Sequence, residues 1–213
     1  MSVSAPTPKS VTIDGQNFYL LAFYYPGSNT PWDDIYNAPF LGNFWISSVT
    51  ITPPNQPSGT FHTAEAAFQA TKWWQNDDIR KEFEVAKDGN AAFSVRNKKG
   101  KDGKTRPWTN SNYAGYGNNV KAMEAVLESK FQNQELAELL TLTGDSYLLE
   151  HNSHDDRDDF WSDNCDGSGQ NQLGLALMRL RSQLGGVALA SYPHPGEFTK
   201  HVLGCTECLR SLR

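Results

Sequence analysis

Two different hydrophobic periods run along this 213-residue chain. In residues 11–25, short β-prone runs flank Asp14-Gly15, a pair suited to the left-handed backbone of a two-residue turn, and the pattern predicts a hairpin. Residues 26–39, rich in Gly, Pro, Asn and Asp, read as a loop; residues 40–52 read as a strand entered through Leu41-Gly42-Asn43-Phe44; residues 53–59 read as a turn. The stretch Phe61-His62-Thr63-Ala64-Glu65-Ala66-Ala67-Phe68-Gln69-Ala70-Thr71-Lys72-Trp73-Trp74 then opens a helix, with Thr63 as N-cap and no Gly or Pro after it. Glu65, Gln69 and Lys72 fall at i, i+4 and i+7, so three polar groups share one face while Phe68 points elsewhere.

Asp77 caps a second predicted helix over 77–86, and Asn90 a third over 90–96. Val120, Met123, Leu127 and Phe131 recur at helical spacing and predict an amphipathic helix over 118–132, those four facing the core. A helix over 135–142 stops at Gly144, and 146–150 is a short apolar strand. A last helix, capped by Asn171, carries Leu173, Leu177, Leu180 and Leu184 and ends at Gly185-Gly186. The predicted class is α+β, mainly helical with a few short strands, in one domain over residues 11–186. Residues 1–10 are expected to be disordered and residues 187–213 to form an appendage.

A chain that is 38% hydrophobic and 12% aromatic has enough apolar side chains for one sizeable core. Its net charge of −5 argues against a broad basic face for duplex nucleic acid, while leaving room for a local positive pocket. No apolar run spans a bilayer and no signal-peptide pattern opens the chain, so the expected setting is cytoplasmic or nuclear, without a membrane partner. Three cysteines are too few and too odd for a disulfide framework.

The chemistry concentrates in four places. Glu65 sits in a first helical turn, where the helix dipole also favours a carboxylate for purely structural reasons. Residues 97–117, with the adjoining Arg96, crowd Arg96, Lys98, Lys99, Lys101, Lys104 and Arg106 around Trp108, Tyr113 and Tyr116. That is either a solvated loop or a surface with cations for phosphates and rings for a base. Residues 151–169 gather Asp155, Asp156, Asp158, Asp159, Asp163 and Asp166 around Phe160-Trp161, without the ligand order of an EF-hand. His201-x3-Cys205-x2-Cys208 suits three zinc ligands, a fourth having to come from Cys165, His194 or a partner; no metal and no cofactor is counted on. With no P-loop, nucleophile elbow or dinucleotide fingerprint, two carboxylate clusters are compatible with glycosidic bond cleavage.

Several segments together resemble the NADAR (YbiA-like) family. Leu41-Gly42-Asn43-Phe44 is similar to its L-S-N-F entrance, and Thr63, Glu65, Phe68, Gln69, Ala70 and Lys72 stand in register with its W-P-T-x-E-H-Y-F-Q-A-x-K-F helix. Met123, Leu127, Lys130 and Phe131, then Leu149-Glu150-His151, Asp158-Asp159-Phe160-Trp161, and Gly169-Gln170-Asn171-Gln172-Leu173-Gly174 with Met178 and Arg181, resemble the later motifs. Ala66 stands where the family has histidine, the tryptophan before the long helix has no counterpart in register, and the acidic loop before Asp158 is longer.

The resemblance implies a metal-independent N-glycosidase that breaks a bond from ribose C1 to nitrogen. The expected substrate is ADP-ribose on guanine, with single-stranded nucleic acid as its carrier; phosphorylated riboflavin-pathway ribosylamines are the alternative, and a non-catalytic ADP-ribose-binding module a third. Glu65 is expected to be the principal carboxylate, Asp158 the second with Asp159 competing, and Lys72 to hold Glu65 ionised or, less favoured, to form a Schiff base. Asn43, Gly42, Phe44, Gln69, Trp108, Tyr116, Trp161 and Asn171 are expected to contact substrate, and Arg96, Lys98 and Arg106 its phosphates. For Asn43, Gln69 and Asn171 a buried amide serving the backbone is an equal alternative. The oligomeric state is left open.

Overall fold

A computed structural model describes residues 4–25, 30–100, 102–188 and 191–205. Its mixed α+β chain divides into two compact units, one made of Met1–Gly42 with Gln134–Arg213 and the other of Asn43–Asn133.

The first unit is built on a three-stranded sheet. Strands β1 (Lys9–Ile13) and β2 (Gln16–Phe23) pair antiparallel, with Ile13 opposite Gln16 across the predicted Asp14-Gly15 turn. Both turn residues have positive φ, 49° and 78°, which matches the right-handed twist of the flanking strands. Strand β5 (Tyr147–Glu150) adds parallel to β2, and burial of the consecutive Tyr147, Leu148 and Leu149 explains its apolar run up to Glu150. Helix α6 (Gln134–Leu142) precedes it, and helix α7 (Gln172–Gln183) packs on β5 at Gly174, where a β-carbon would strike the Leu148 carbonyl.

Three sequence expectations change here. Residues 4–10, expected to be disordered, are held in place: Thr7 N–H donates to the Tyr36 carbonyl, and Asn37 Nδ2 donates to the Ser4 and Ala5 carbonyls. The expected loop 26–39 contains helix α1 (Pro31–Tyr36), with Pro31 at its first turn and Asp33 and Asp34 near its dipole. The segment after residue 186 includes helix α8 (Pro195–Thr199), whose fully buried Phe198 stacks on Tyr147 with ring centroids 3.9 Å apart. Its short, proline-broken sequence hides that contribution to the core.

In the second unit, β3 (Ile46–Ile51) and β4 (Gly59–Thr63) form a two-stranded sheet, β4 taking residues expected to be turn and helix. Thr63 ends β4 and starts helix α2 (Ala64–Ala70), its Oγ1 accepting from the Ala66 amide at 3.1 Å as the sequence predicts. Helices α3 (Asp77–Glu84) and α4 (Gly89–Arg96) are capped by Asn76 and Asp88, each slightly upstream of the expected cap. Helix α5 (Asn119–Lys130) follows its Asn118 cap and buries Met123 and Leu127, as its period requires. Among the described residues no helix is long and apolar enough to cross a membrane.

Candidate active site

All seven residues of α2 are buried, so the polar groups on this helix are there at a desolvation cost and must be paired. Glu65 Oε1 accepts from Gln69 Nε2 at 2.9 Å, and Gln69 Oε1 accepts from Lys72 Nζ at 2.7 Å. The amide thus links a carboxylate and an ammonium in one line along the predicted face. Lys72 lies just past α2, in a turn closed by its own amide on the Gln69 carbonyl at 3.1 Å.

Burial pushes the Lys72 ammonium down to about 8; Glu65 pulls it back up, and Arg96 pushes it further down. Its Nζ stands 4.6 Å from the Trp108 ring centre and 4.9 Å from that of Phe68. Trp108 is carried there because the Thr109 and Asn110 amides both donate to the Lys72 carbonyl, at 3.1 and 3.0 Å. Tyr113 continues the aromatic surface, stacked on Phe68 with centroids 6.0 Å apart. Tyr116 is half-buried, and burial and Glu128 both raise its hydroxyl pKa.

Asn43 fixes the start of α2 by accepting the Glu65 amide on its backbone carbonyl at 2.9 Å. Its side-chain Nδ2 meets Met123 Sδ at 3.7 Å, and its Oδ1 is buried with no hydrogen-bond partner among the described residues. An orphaned buried acceptor of this kind fits a residue awaiting a ligand donor.

The remaining expected contacts divide. Lys98 Nζ and Arg106 donate to the two oxygens of Glu82 at 2.8 and 3.1 Å, so both cations are already paired. Arg96 donates to Asn97 Oδ1 and sits over Phe93. Phe44 packs against the start of α4, where a β-carbon on Gly89 would collide with its ring, and Gly42 is pressed against the Tyr24 carbonyl. These two serve packing in this structure. Asn171 does as well: its Oδ1 accepts from the Glu150 amide at 2.9 Å, and its Nδ2 donates to the Leu148 carbonyl at 2.8 Å and to Tyr147 Oη at 3.1 Å. It starts α7 through its backbone at φ 50°, without the predicted side-chain cap.

In the first unit, Asp156, Arg157, Asp158, Asp159, Asn164 and Ser168 line a cleft of about 450 Å³. Asp158 Oδ1 accepts from the Phe160 and Trp161 amides at 3.1 and 2.8 Å, which fixes the direction of its second oxygen. Burial raises the Asp158 pKa against the pull of those amides. Asp159 is exposed and Trp161 half-buried, edge-on to Phe160. Sequence reasoning missed Tyr24, whose ring lies under the Arg157 guanidinium at 5.6 Å; no period or motif marked that pairing.

An α+β chain with a carboxylate held by an amide–lysine line beside an aromatic surface is the class of protein these features define. The chain belongs to the NADAR domain family, whose profile matches residues 32–185. The fold resembles the NMR structure of the E. coli protein YbiA, with a TM-score of 0.56 and 27% identity over 87% of this chain and 94% of that one. A riboflavin biosynthesis protein of Vibrio vulnificus is 36% identical over 149 residues, 70% of this chain, which spans only 36% of that protein's length. The N-glycosidase YbiA of Shigella flexneri is 32% identical over 143 residues, covering 65% of this chain and 80% of that protein.

Proposed function

We propose that this chain is an N-glycosidase that hydrolyses the bond between ribose C1 and a nitrogen, with ADP-ribose on guanine as its substrate. The observation that carries the reading is the Glu65–Gln69–Lys72 line: a buried carboxylate whose orientation is fixed by Gln69, in a chain whose relatives include proteins named as N-glycosidases. As the C1–N bond breaks, its electron pair leaves with the nitrogen and positive charge develops at C1, where an ionised Glu65 stabilises it. Water then adds its oxygen to C1 and gives a proton to Glu65. Asp158, in the first unit, keeps its proposed role on ribose hydroxyls or in proton transfer, and burial raises its carboxyl pKa.

Trp108 and Tyr113 offer flat surfaces for a base, and Asn43 Oδ1 an acceptor for a hydroxyl or amine. The pairing of Lys98 and Arg106 with Glu82, and the name of the Vibrio relative, favour a second reading, a phosphorylated ribosylamine of riboflavin synthesis.

The test is turnover on a single-stranded oligonucleotide carrying ADP-ribosylated guanine, wild type beside Glu65→Gln. Release of ADP-ribose that the variant largely loses supports the proposal. Binding of ADP-ribose without release points to a reader module, and neither result directs the assay to ribosylamine phosphates.

A further inference from the structure

We propose that His151, Cys165 and Cys205 form a zinc site that fastens the C-terminal segment to the core of the first unit. The three come from distant parts of the sequence: the residue after β5, the turn before α7, and the segment after α8. One ligand atom from each lies within 4.8 Å of the others, and all three side chains are almost entirely buried, at 0%, 4% and 3% exposure. Ligand atoms around tetrahedral zinc stand roughly 3.5–4 Å apart, so binding draws this set together by about 1 Å or less. Two thiols and an imidazole are borderline-soft donors, which select zinc over magnesium or calcium.

Asp163 is the independent observation. Its Oδ2 bonds His151 Nδ1 at 2.6 Å and accepts from Thr199 Oγ1 at 2.7 Å, while its Oδ1 accepts from the Cys165 amide at 2.9 Å. A carboxylate on Nδ1 fixes the tautomer and turns Nε2 toward Cys205, so a zinc ion would replace the imidazole–thiol contact, the arrangement that supports histidine ligands of zinc. Cys205 lies on His151 as a side-chain hydrogen-bond partner. The Trp32 ring meets the imidazole edge-on at 4.6 Å and holds its plane. One carboxylate thereby positions two of the three ligands and ties them to Thr199 at the end of α8.

The sequence grouped Cys205 with His201 and Cys208 and offered Cys165 or His194 as a fourth ligand. His194 instead caps α8, its Nδ1 accepting from the Gly196 amide at 3.2 Å. The expected Cys208 lies outside the described residues, and the proposal stands on the other three ligands.

The full chain, purified under reducing conditions without chelator, is assayed for metal by plasma mass spectrometry and titrated with cobalt(II). One zinc per chain is expected, with a thiolate-to-cobalt charge-transfer band in the substituted protein. Cys165→Ser and His151→Gln each remove a ligand and should weaken zinc binding by more than the roughly 10–100-fold that loss of an outer-shell partner costs, and a chelator should lower the Tm of the wild type but not of Cys205→Ser. The cobalt spectrum of the wild type decides even where a variant fails to fold. The proposal is overturned if the reduced wild type takes up neither metal, if Cys165→Ser retains zinc fully, or if freshly purified chain carries a Cys165–Cys205 disulfide and no metal.

Discussion

Gln69 Nε2 donates to Glu65 Oε1 across one helical turn at 2.9 Å, and this bond sets which way the carboxylate of α2 points. Gln69→Leu keeps the volume and removes both ends of the bridge to Lys72. A lost hydrogen bond to a charged group is worth about 1.5–3 kcal/mol, so kcat should fall roughly 10–100-fold. Single-turnover kinetics at saturating substrate measure it. An unchanged kcat would detach the line from the chemistry.

Lys72 supplies a pH signature. With its pKa at about 8, the ammonium loses its proton just above neutrality, and kcat/KM should decline above pH 8. Lys72→Arg keeps the charge and should move that limb to higher pH. The same shift acts on stability in the opposite sense. Between pH 8 and the ordinary value of 10.5 the unfolded chain holds the extra proton, so the contribution of Lys72 to stability grows as pH rises through that window.

Glu82 holds Lys98 and Arg106 by one oxygen each. Glu82→Gln releases both cations. If the basic loop receives a pyrophosphate, calorimetry should show ADP-ribose binding several-fold tighter in the variant, with the gain disappearing at high salt. Equal affinity in the two proteins would favour the smaller monophosphate substrates.

Asn43, half-buried, and Asn171, fully buried, are both amides in family motifs, and the structure separates them. Asn171 joins the Glu150 amide, the Leu148 carbonyl and the Tyr147 hydroxyl, so Asn171→Leu should cost about 2–4 kcal/mol of stability through the groups it strands. Asn43→Leu strands nothing at Oδ1 and should change Tm little while raising KM. Thermal melts beside Michaelis curves test the pair, and the reverse pattern would sink the assignment.

Lys130 is fully buried at the end of α5, and burial lowers its pKa to about 7. From pH 7 to 10.5 the unfolded chain binds the extra proton, so stability should rise with pH across this range. Lys130→Met should flatten that rise. Urea unfolding of the wild type and the variant at several pH values reads the difference directly, since Lys72 contributes equally to both.

Local rules determined much of this protein. The Asp14-Gly15 turn, the Thr63 cap, the apolar face of α5 and the alignment of Glu65, Gln69 and Lys72 depend on neighbours within a few residues, and the sequence contains those neighbours. The family followed from the order of motifs in the same way. Only the tertiary structure decided which distant groups meet. Lys98 and Arg106 read as free cations until Glu82, 16 and 24 residues away, takes them both. Asn171 reads as a helix cap or ligand contact until β5 presents its unpaired groups to it. Helix α8 lacks length and period, yet Tyr147 gives Phe198 a partner and makes it core. His151, Cys165 and Cys205 share no spacing rule, because their proximity comes from a sheet edge, a turn and a packed helix acting together. Burial and pairing are properties of the assembled unit, whereas turn and cap preferences belong to the local chain.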